Sequence, residues 1–295
     1  MMRRGRDRYR SVPSNIAGGI NADIIFDILA MCIAVWCFAA AAKDVAVDLE
    51  LVLAVDVSGS IDEAEARLQR EGYVNAILHP EVVAAVKGGM LRRVAVTYVE
   101  WAGLYQNIVV GWHLIEDKRS AAAFAQKLIE APIFTATWAS ISGVINYALP
   151  LFGKNGYFGV RQVIDFSGDG SNNKGEKMPT ARDCAVAAGV TVNGLPIVND
   201  RPSPFGFPAY KDLDLYNIAC VIGGPGALIV VADTHQDLAR AIRKKLILEI
   251  ANRTPDPREI FERSRVRNAA DGRVAPARDS GEKTRELYWN EADDS

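Results

Sequence analysis

Asp56-Val57-Ser58-Gly59-Ser60 places one carboxylate and two hydroxyls at alternate positions of a short turn. Three such oxygens can point at one centre. A hard cation such as Mg²⁺ asks for near-octahedral oxygen ligation and keeps several of its waters. Held by hydroxyls and few carboxylates, the ion stays short of neutralisation and keeps its affinity for an incoming acidic group. The chemistry implied is metal-dependent capture of a carboxylate. A plainer reading is also available: Asp, Ser and Gly suit any turn that caps a following helix.

Other motifs compete with this one. Asp165-Phe166-Ser167-Gly168-Asp169-Gly170 through Glu176 matches a Ca²⁺-binding EF-hand loop at positions 1, 3, 5, 6, 9 and 12. Against it, Asn172 stands where that loop wants an apolar residue, and the preceding RQVIDF reads as a strand, not a helix. Gly170 to Lys177 lacks the Gly-Lys-Ser/Thr of a phosphate loop. Ser58 and Ser167 lie in no Gly-x-Ser-x-Gly elbow, and no histidine is placed to activate them. His79, His113 and His235 lack zinc-site spacing. Trp101, Trp112 and Trp138 read as core or loop-packing residues, Trp138 being notable for its place beside the metal turn.

The elements around the turn alternate between strand and helix, the pattern of an α/β sheet covered on both faces. Asp48 to Val55 is nearly all apolar after Glu50, as a central buried strand requires. Ile61 to Leu78 reads as a helix with Asp62, Glu63 and Glu65 in its first turn, where carboxylates suit the helix dipole. Residues 93–101 and 106–112 form a hairpin-like β pair, and 117–130 and 140–149 are helical. A strand over 161–166 leads into a glycine-rich turn. A helix over 179–188 closed by Gly189, a strand over 190–198, a last strand over 226–231 and a last helix over 234–250 complete the series. Gly223-Gly224-Pro225-Gly226 is a tight turn, and 199–208 is a loop by composition. The C-terminal end of a strand is where open α/β sheets place ligands. The expected fold is therefore α/β: a doubly wound, mostly parallel central sheet with helices on both faces.

Asp-x-Ser-x-Ser after the first strand resembles the metal-ion-dependent adhesion site of von Willebrand factor A domains. DLELVLAVDVSGSID, VAVTYVEWAG, VIDFSGDGSNN, GVTVNGLPI and VIGGPGALIVV, in that order, narrow the likeness to an uncharacterised family of A-domain-like proteins known mainly from alphaproteobacteria. The resemblance covers roughly residues 46–252. It implies a Rossmann-like sheet with the metal at its top, and it matches Asp56, Ser58 and Ser60 without departure. The second acid of such a site follows a later central strand as Asp-Gly, which matches Asp169-Gly170. The third loop normally supplies a Thr just before a helix. Here Ala139 stands at that place with Thr137 two residues earlier, so either Thr137 reaches the metal or water or Ser140 replaces it. The implied cofactor is Mg²⁺ or Mn²⁺, with Ca²⁺ less suited. The implied partner is a protein that offers an acidic residue. No base or nucleophile is recognisable near the turn, which favours a binding module over an enzyme. The alternative is a hydrolase using the cation as Lewis acid.

With 49% hydrophobic residues over 295 positions the chain can bury a substantial core, and a net charge of −2 points to no nucleic acid. Five arginines lie between Arg3 and Arg10, an apolar run follows from Ile24 to Ala42, and the run ends in four alanines. Basic, apolar and small-residue segments in this order form an export signal over residues 1–42. Its retention would make it a membrane anchor. The rest is assigned to a folded domain over 46–252 and a charged, disordered tail over 253–295. The protein is expected in the periplasm or secreted, where Cys184 and Cys220 could form a disulfide or remain buried thiols. Fractionation of cells carrying the tagged full-length chain should find it outside the cytoplasm with a mature mass beginning near Lys43. Cytoplasmic protein still bearing Met1 would refute export.

Overall fold

The computed structural model describes residues 44–59, 61–198, 210, 212–234 and 237–253. The expected leader over 1–42, Ser60, His235 and the tail from residue 254 lie outside the described residues. Among the described residues no helix is long and apolar enough to cross a membrane.

The sheet grows outward from its first long strand. That strand, β2 (Leu49–Asp56), follows a short β1 (Val45–Val47) and is buried at every position. The chain then runs through α1 (Glu63–Leu78), α2 (Pro80–Gly88), β3 (Val94–Ala102) and β4 (Tyr105–Ile115). Next come α3 (Lys118–Glu130), α4 (Ile141–Ala148), β5 (Tyr157–Gly159) and β6 (Gln162–Gly168). α5 (Met178–Ala187), β7 (Thr191–Pro196), a one-turn α6 (Leu213–Tyr216) and α7 (Leu238–Ile250) complete the order. The five long strands lie as β4-β3-β2-β6-β7, parallel except for the antiparallel edge pair of β3 and β4. β1 and β5 pair separately as two short parallel strands. The fold is α/β, with a mostly parallel central sheet covered by helices on both faces.

Burial on both faces follows from the period of two along β2. Leu51, Leu53 and Val55 pack under α1, α2, α3 and α7, among Tyr73, Val86, Phe124 and Leu246. Val52 and Ala54 face the other way, toward Ile141, Val144 and Ile145 of α4 and Ala181 and Ala185 of α5. Local signals start the helices. Asp62 and Glu65 form a reciprocal capping box at α1, as do Asp117 and Ser120 at α3. Gly189, at φ +83°, ends the turn after α5.

Several parts of the fold depart from the expectation, the paired β1 and β5 among them. α2 begins at Pro80, a favoured first helical residue, with the His79 imidazole accepting the Glu81 N–H. Residues 228–232 run beside β7 through isolated bridges at Ile229 and Ala232 instead of a continuous strand. α6 passes directly into a wide turn over Asn217–Val221 whose Cys220 and Val221 are fully buried.

One polar cluster sits inside the α7 face. The Lys245 ammonium, fully buried, contacts the Asp165 carboxylate of β6 and lies 2.6 Å from Glu249 Oε1. Asn193 Nδ2 donates to that same oxygen at 2.8 Å, and Asn193 Oδ1 accepts the Leu228 N–H at 2.9 Å. One cation thus serves two buried acids, and both burial and the Glu249 charge push the Asp165 carboxyl well above the ordinary aspartate range. Breaking such a cluster by removing the cation leaves uncompensated carboxylates in the core. Lys245→Met should therefore lower unfolding free energy in urea by about 3–5 kcal/mol. Replacing Lys245, Asp165 and Glu249 together with apolar residues of similar volume should recover most of that loss. A single Lys245→Met of wild-type stability would refute the account.

Candidate metal centre

β2 and β6 are parallel neighbours with Val55 opposite Ser167. β2 ends at Asp56 and β6 at Gly168, so Asp56 and Asp169 leave the same edge of the sheet on adjacent strands. Asp56 is fully buried. Its Oδ1 accepts the Ser58 N–H at 2.7 Å, and its backbone carbonyl accepts from Gln69 Nε2 of α1 at 3.3 Å. Among the described residues its Oδ2 has no hydrogen-bond partner. A carboxylate oxygen buried without a donor is costly, which marks this atom as one shaped for something else.

Gly168 makes the approach possible. A Cβ on it would lie 2.7 Å from Asp56 Oδ2 and 3.1 Å from the Phe166 ring. Burial raises the Asp56 carboxyl well above the ordinary aspartate value of 3.8, and the Asp169 charge raises it further. Hydrogen bonds from Ser58 and the Asp169 amide oppose the rise. Two acids held this close without a cation repel each other.

The third loop is fastened to this turn by its backbone. Ala136 N–H donates to the Val57 carbonyl at 2.9 Å. Asn173 Oδ1 accepts the Ala139 N–H at 3.0 Å, while the Asn173 and Lys174 amides donate back to the Ala139 carbonyl. Asn172, fully buried, accepts from both the amide and the hydroxyl of Ser142 and donates to the Glu176 carbonyl. Farther back, Arg70 reaches from α1 to the Glu100 carboxylate and to the carbonyls of Ala131 and Pro132, which anchors the start of the same loop.

Asp56, Ser58 and Asp169 thus meet at one edge. Thr137 is exposed on the segment held against Val57. Ser140 caps α4, with its hydroxyl accepting the Gly143 N–H and donating to the Lys174 carbonyl, so it is engaged as a cap. Ser60 lies outside the described residues. The EF-hand reading fails because Asp165, its first ligand, is buried in β6 against Lys245. No disulfide joins Cys184 and Cys220: Cys184 is exposed on α5, whereas Cys220 is buried in the turn after α6, in the core that α5 also covers. The sequence reading missed Gly168, Asn172 and Asn173 as organisers of the site. Their signal was the glycine- and asparagine-rich run after β6.

The donor set suits a hard divalent cation. It offers an unpartnered buried carboxylate oxygen, a second acid and the Ser58 hydroxyl. Among the described residues no group of three or more His, Cys, Asp or Glu could hold a metal. An ion here would be held by two acids, hydroxyls and water.

The family described as "Protein of unknown function (DUF1194)" matches residues 46–254. No curated protein matches the chain. Among solved structures, proximal thread matrix protein 1 from the mussel byssus aligns at 13% identity and TM-score 0.50, covering 70% of this chain and 49% of that one. A second structure of that mussel protein, described with its MIDAS motif occupied by zinc, aligns at 13% and 0.48, over 70% and 47%. The pilus adhesin SpaC of Lactobacillus rhamnosus GG aligns at 14% and 0.50, over 70% and 31%. A von Willebrand factor type A structure from Catenulispora acidiphila aligns at 12% and 0.47, over 70% and 43%. This chain therefore spans less than half the length of each, and at such identities the likeness concerns the fold.

Because burial holds the ionised form of Asp56 at a disadvantage, the metal-free protein loses stability as pH rises from 3.8 through the raised folded value; below 3.8 the penalty is absent. In chelator at neutral pH, Asp56→Asn should unfold with about 1–3 kcal/mol more stability than wild type, the cost of an unsatisfied buried group. The gap should close as pH falls toward 4. Equal stability at neutral pH would mean that Asp56 is not strained by its burial.

Proposed function

We propose that this chain, which belongs to the DUF1194 family of proteins of unknown function, is an exported binding module. In it, Asp56, Ser58, Ser60 and Asp169 hold one divalent cation that captures an acidic group of a protein partner. One observation carries the reading: among the described residues Oδ2 of fully buried Asp56 has no hydrogen-bond partner, and it lies against Gly168, next to a second acid, Asp169, at the end of the adjacent parallel strand. A von Willebrand factor A-like sheet supports it, because open α/β sheets bind ligands at the carboxyl ends of their strands.

The bound ion would supply a strong, incompletely neutralised positive charge. The protein's own groups do the rest. Ser58 orients the Asp56 carboxylate, and Gly168 leaves room for it. The Asn172 and Asn173 amides fix the third loop, so that Thr137 or water completes the shell. Mg²⁺ or Mn²⁺ fits two acids and several hydroxyls better than Ca²⁺, which takes more oxygen ligands. Export is supported by the order of basic, apolar and small residues before Lys43.

Calorimetry with Mg²⁺ and Mn²⁺ tests the ligands. Asp56→Ala and Asp169→Ala should each weaken binding by at least ~100-fold, about 2.7 kcal/mol, while far-ultraviolet circular dichroism stays unchanged. Thr137→Ala should cost less. Equal heats for wild type and Asp56→Ala would reduce the turn to a helix cap and remove the basis of the proposal.

A further inference from the structure

The rim beside the metal turn is apolar, and it is assembled from two loops locked together. Gly103 N–H donates to the Trp138 carbonyl at 2.8 Å. Gly103 holds φ +43°, and a Cβ on it would lie 2.9 Å from the Thr137 carbonyl oxygen and 3.2 Å from Trp138 Cβ. The β3–β4 turn and the third loop therefore touch backbone to backbone. On that joint Leu104 is 82% exposed, Phe134 47% and Trp138 39%. Phe134 is backed by Tyr105, with ring centroids 4.5 Å apart.

Trp138 is held at φ +68°, a left-handed conformation that bulky residues rarely adopt and that persists only where the surrounding structure enforces it. The Lys174 ammonium lies 5.5 Å from its ring centroid. Two features of the rim thus coincide: large apolar groups left in water, and a cation fixed at their edge. Exposed apolar clusters of this kind mark interaction sites, and aromatic side chains there supply a large share of binding energy.

We propose that Leu104, Phe134 and Trp138, with Lys174 at the edge, dock a protein segment whose carboxylate is flanked by bulky apolar side chains. The inference rests on the metal-capture reading and adds the partner's chemistry. A bound cation draws any carboxylate, and the Lys174 ammonium adds to the positive field. Neither distinguishes one acidic segment from another. The rim does, because only an apolar flank recovers the hydrophobic energy of covering it. The β3–β4 turn lies within reach of the metal turn, since Ala136 is bonded to Val57 two residues before Trp138.

The test uses the full chain saturated with Mg²⁺ and two probes, acetyl-Gly-Glu-Gly-amide and acetyl-Phe-Glu-Phe-amide, compared by calorimetry. The Phe-flanked peptide should bind at least ~10-fold more tightly, as anchor side chains in such sites do. Leu104→Ser changes a solvent-exposed side chain, and Trp138→Gly keeps a residue that accepts positive φ, so both variants should fold. Each should cut the advantage below about 3-fold, a loss of anchor contacts, with Mg²⁺ heats and Gly-flanked binding unchanged. Equal affinity of wild type for the two peptides would overturn the proposal, as would an advantage that survives both substitutions. Self-association of wild type that Leu104→Ser abolishes would assign the rim to a second copy and overturn it too. Phe-flanked binding that persists undiminished in EDTA would overturn the metal-capture reading and, with it, the carboxylate assigned to the partner, whereas Mg²⁺-dependent binding of both peptides with equal affinity would overturn the rim alone.

Discussion

Parallel pairing of β2 with β6, buried on both faces, is the constraint from which the site follows. A strand covered on both sides is mostly apolar, and β2 is so from Leu51 to Val55, with the Glu50 carboxylate at its start held by Asn155 and Gly159 and Asp56 at its end. Its polar residues therefore fall where the strand enters and leaves the sheet. The register to β6 puts Gly168 and Asp169 at the same height one strand away. Neither acid chooses the other. Both are delivered by backbone hydrogen bonds that the cores on either face hold in place.

The same burial makes the two charged clusters behave differently. At the α7 face Lys245 stands between Asp165 and Glu249, so the acids have a cation supplied by the chain. At the sheet edge Asp56 feels the charge of Asp169 and is held by hydrogen bonds from Ser58. The first arrangement locks a helix onto the sheet. The second leaves a carboxylate oxygen unmatched, and a divalent ion is the group that would match it.

Loops around the edge are ordered by polar side chains that point inward. Asn172 and Asn173 hold Ala139 and Ser142, and Arg70 holds Ala131 and Pro132 while paired to Glu100. With the inward side of these loops occupied by hydrogen bonds, Trp138 and Phe134 are turned to solvent. Apolar exposure at the rim is a consequence of how the loop is tied.

Local chemistry written in the chain determined most of the elements. The apolar run of β2, the capping residues Asp62 and Asp117, and Gly189 after α5 act over a few residues, and each lies where its type implies. The Asp56-Val57-Ser58 turn was legible for the same reason, since alternate oxygens on a strand-to-helix turn need nothing distant. Pairings set by contacts far along the chain were not. β1 and β5 are three residues each and exist only through one another; the segment beside β7 is held by isolated bridges. Asp165 looked like a calcium ligand until the approach of α7 made it the partner of Lys245. Whether Cys184 and Cys220 meet, whether Ser140 is a cap, and which face of the third loop carries Trp138 were likewise decided by tertiary structure. Such outcomes depend on which side of an element faces the core, and that is fixed when elements pack together, not by the residues of any one of them.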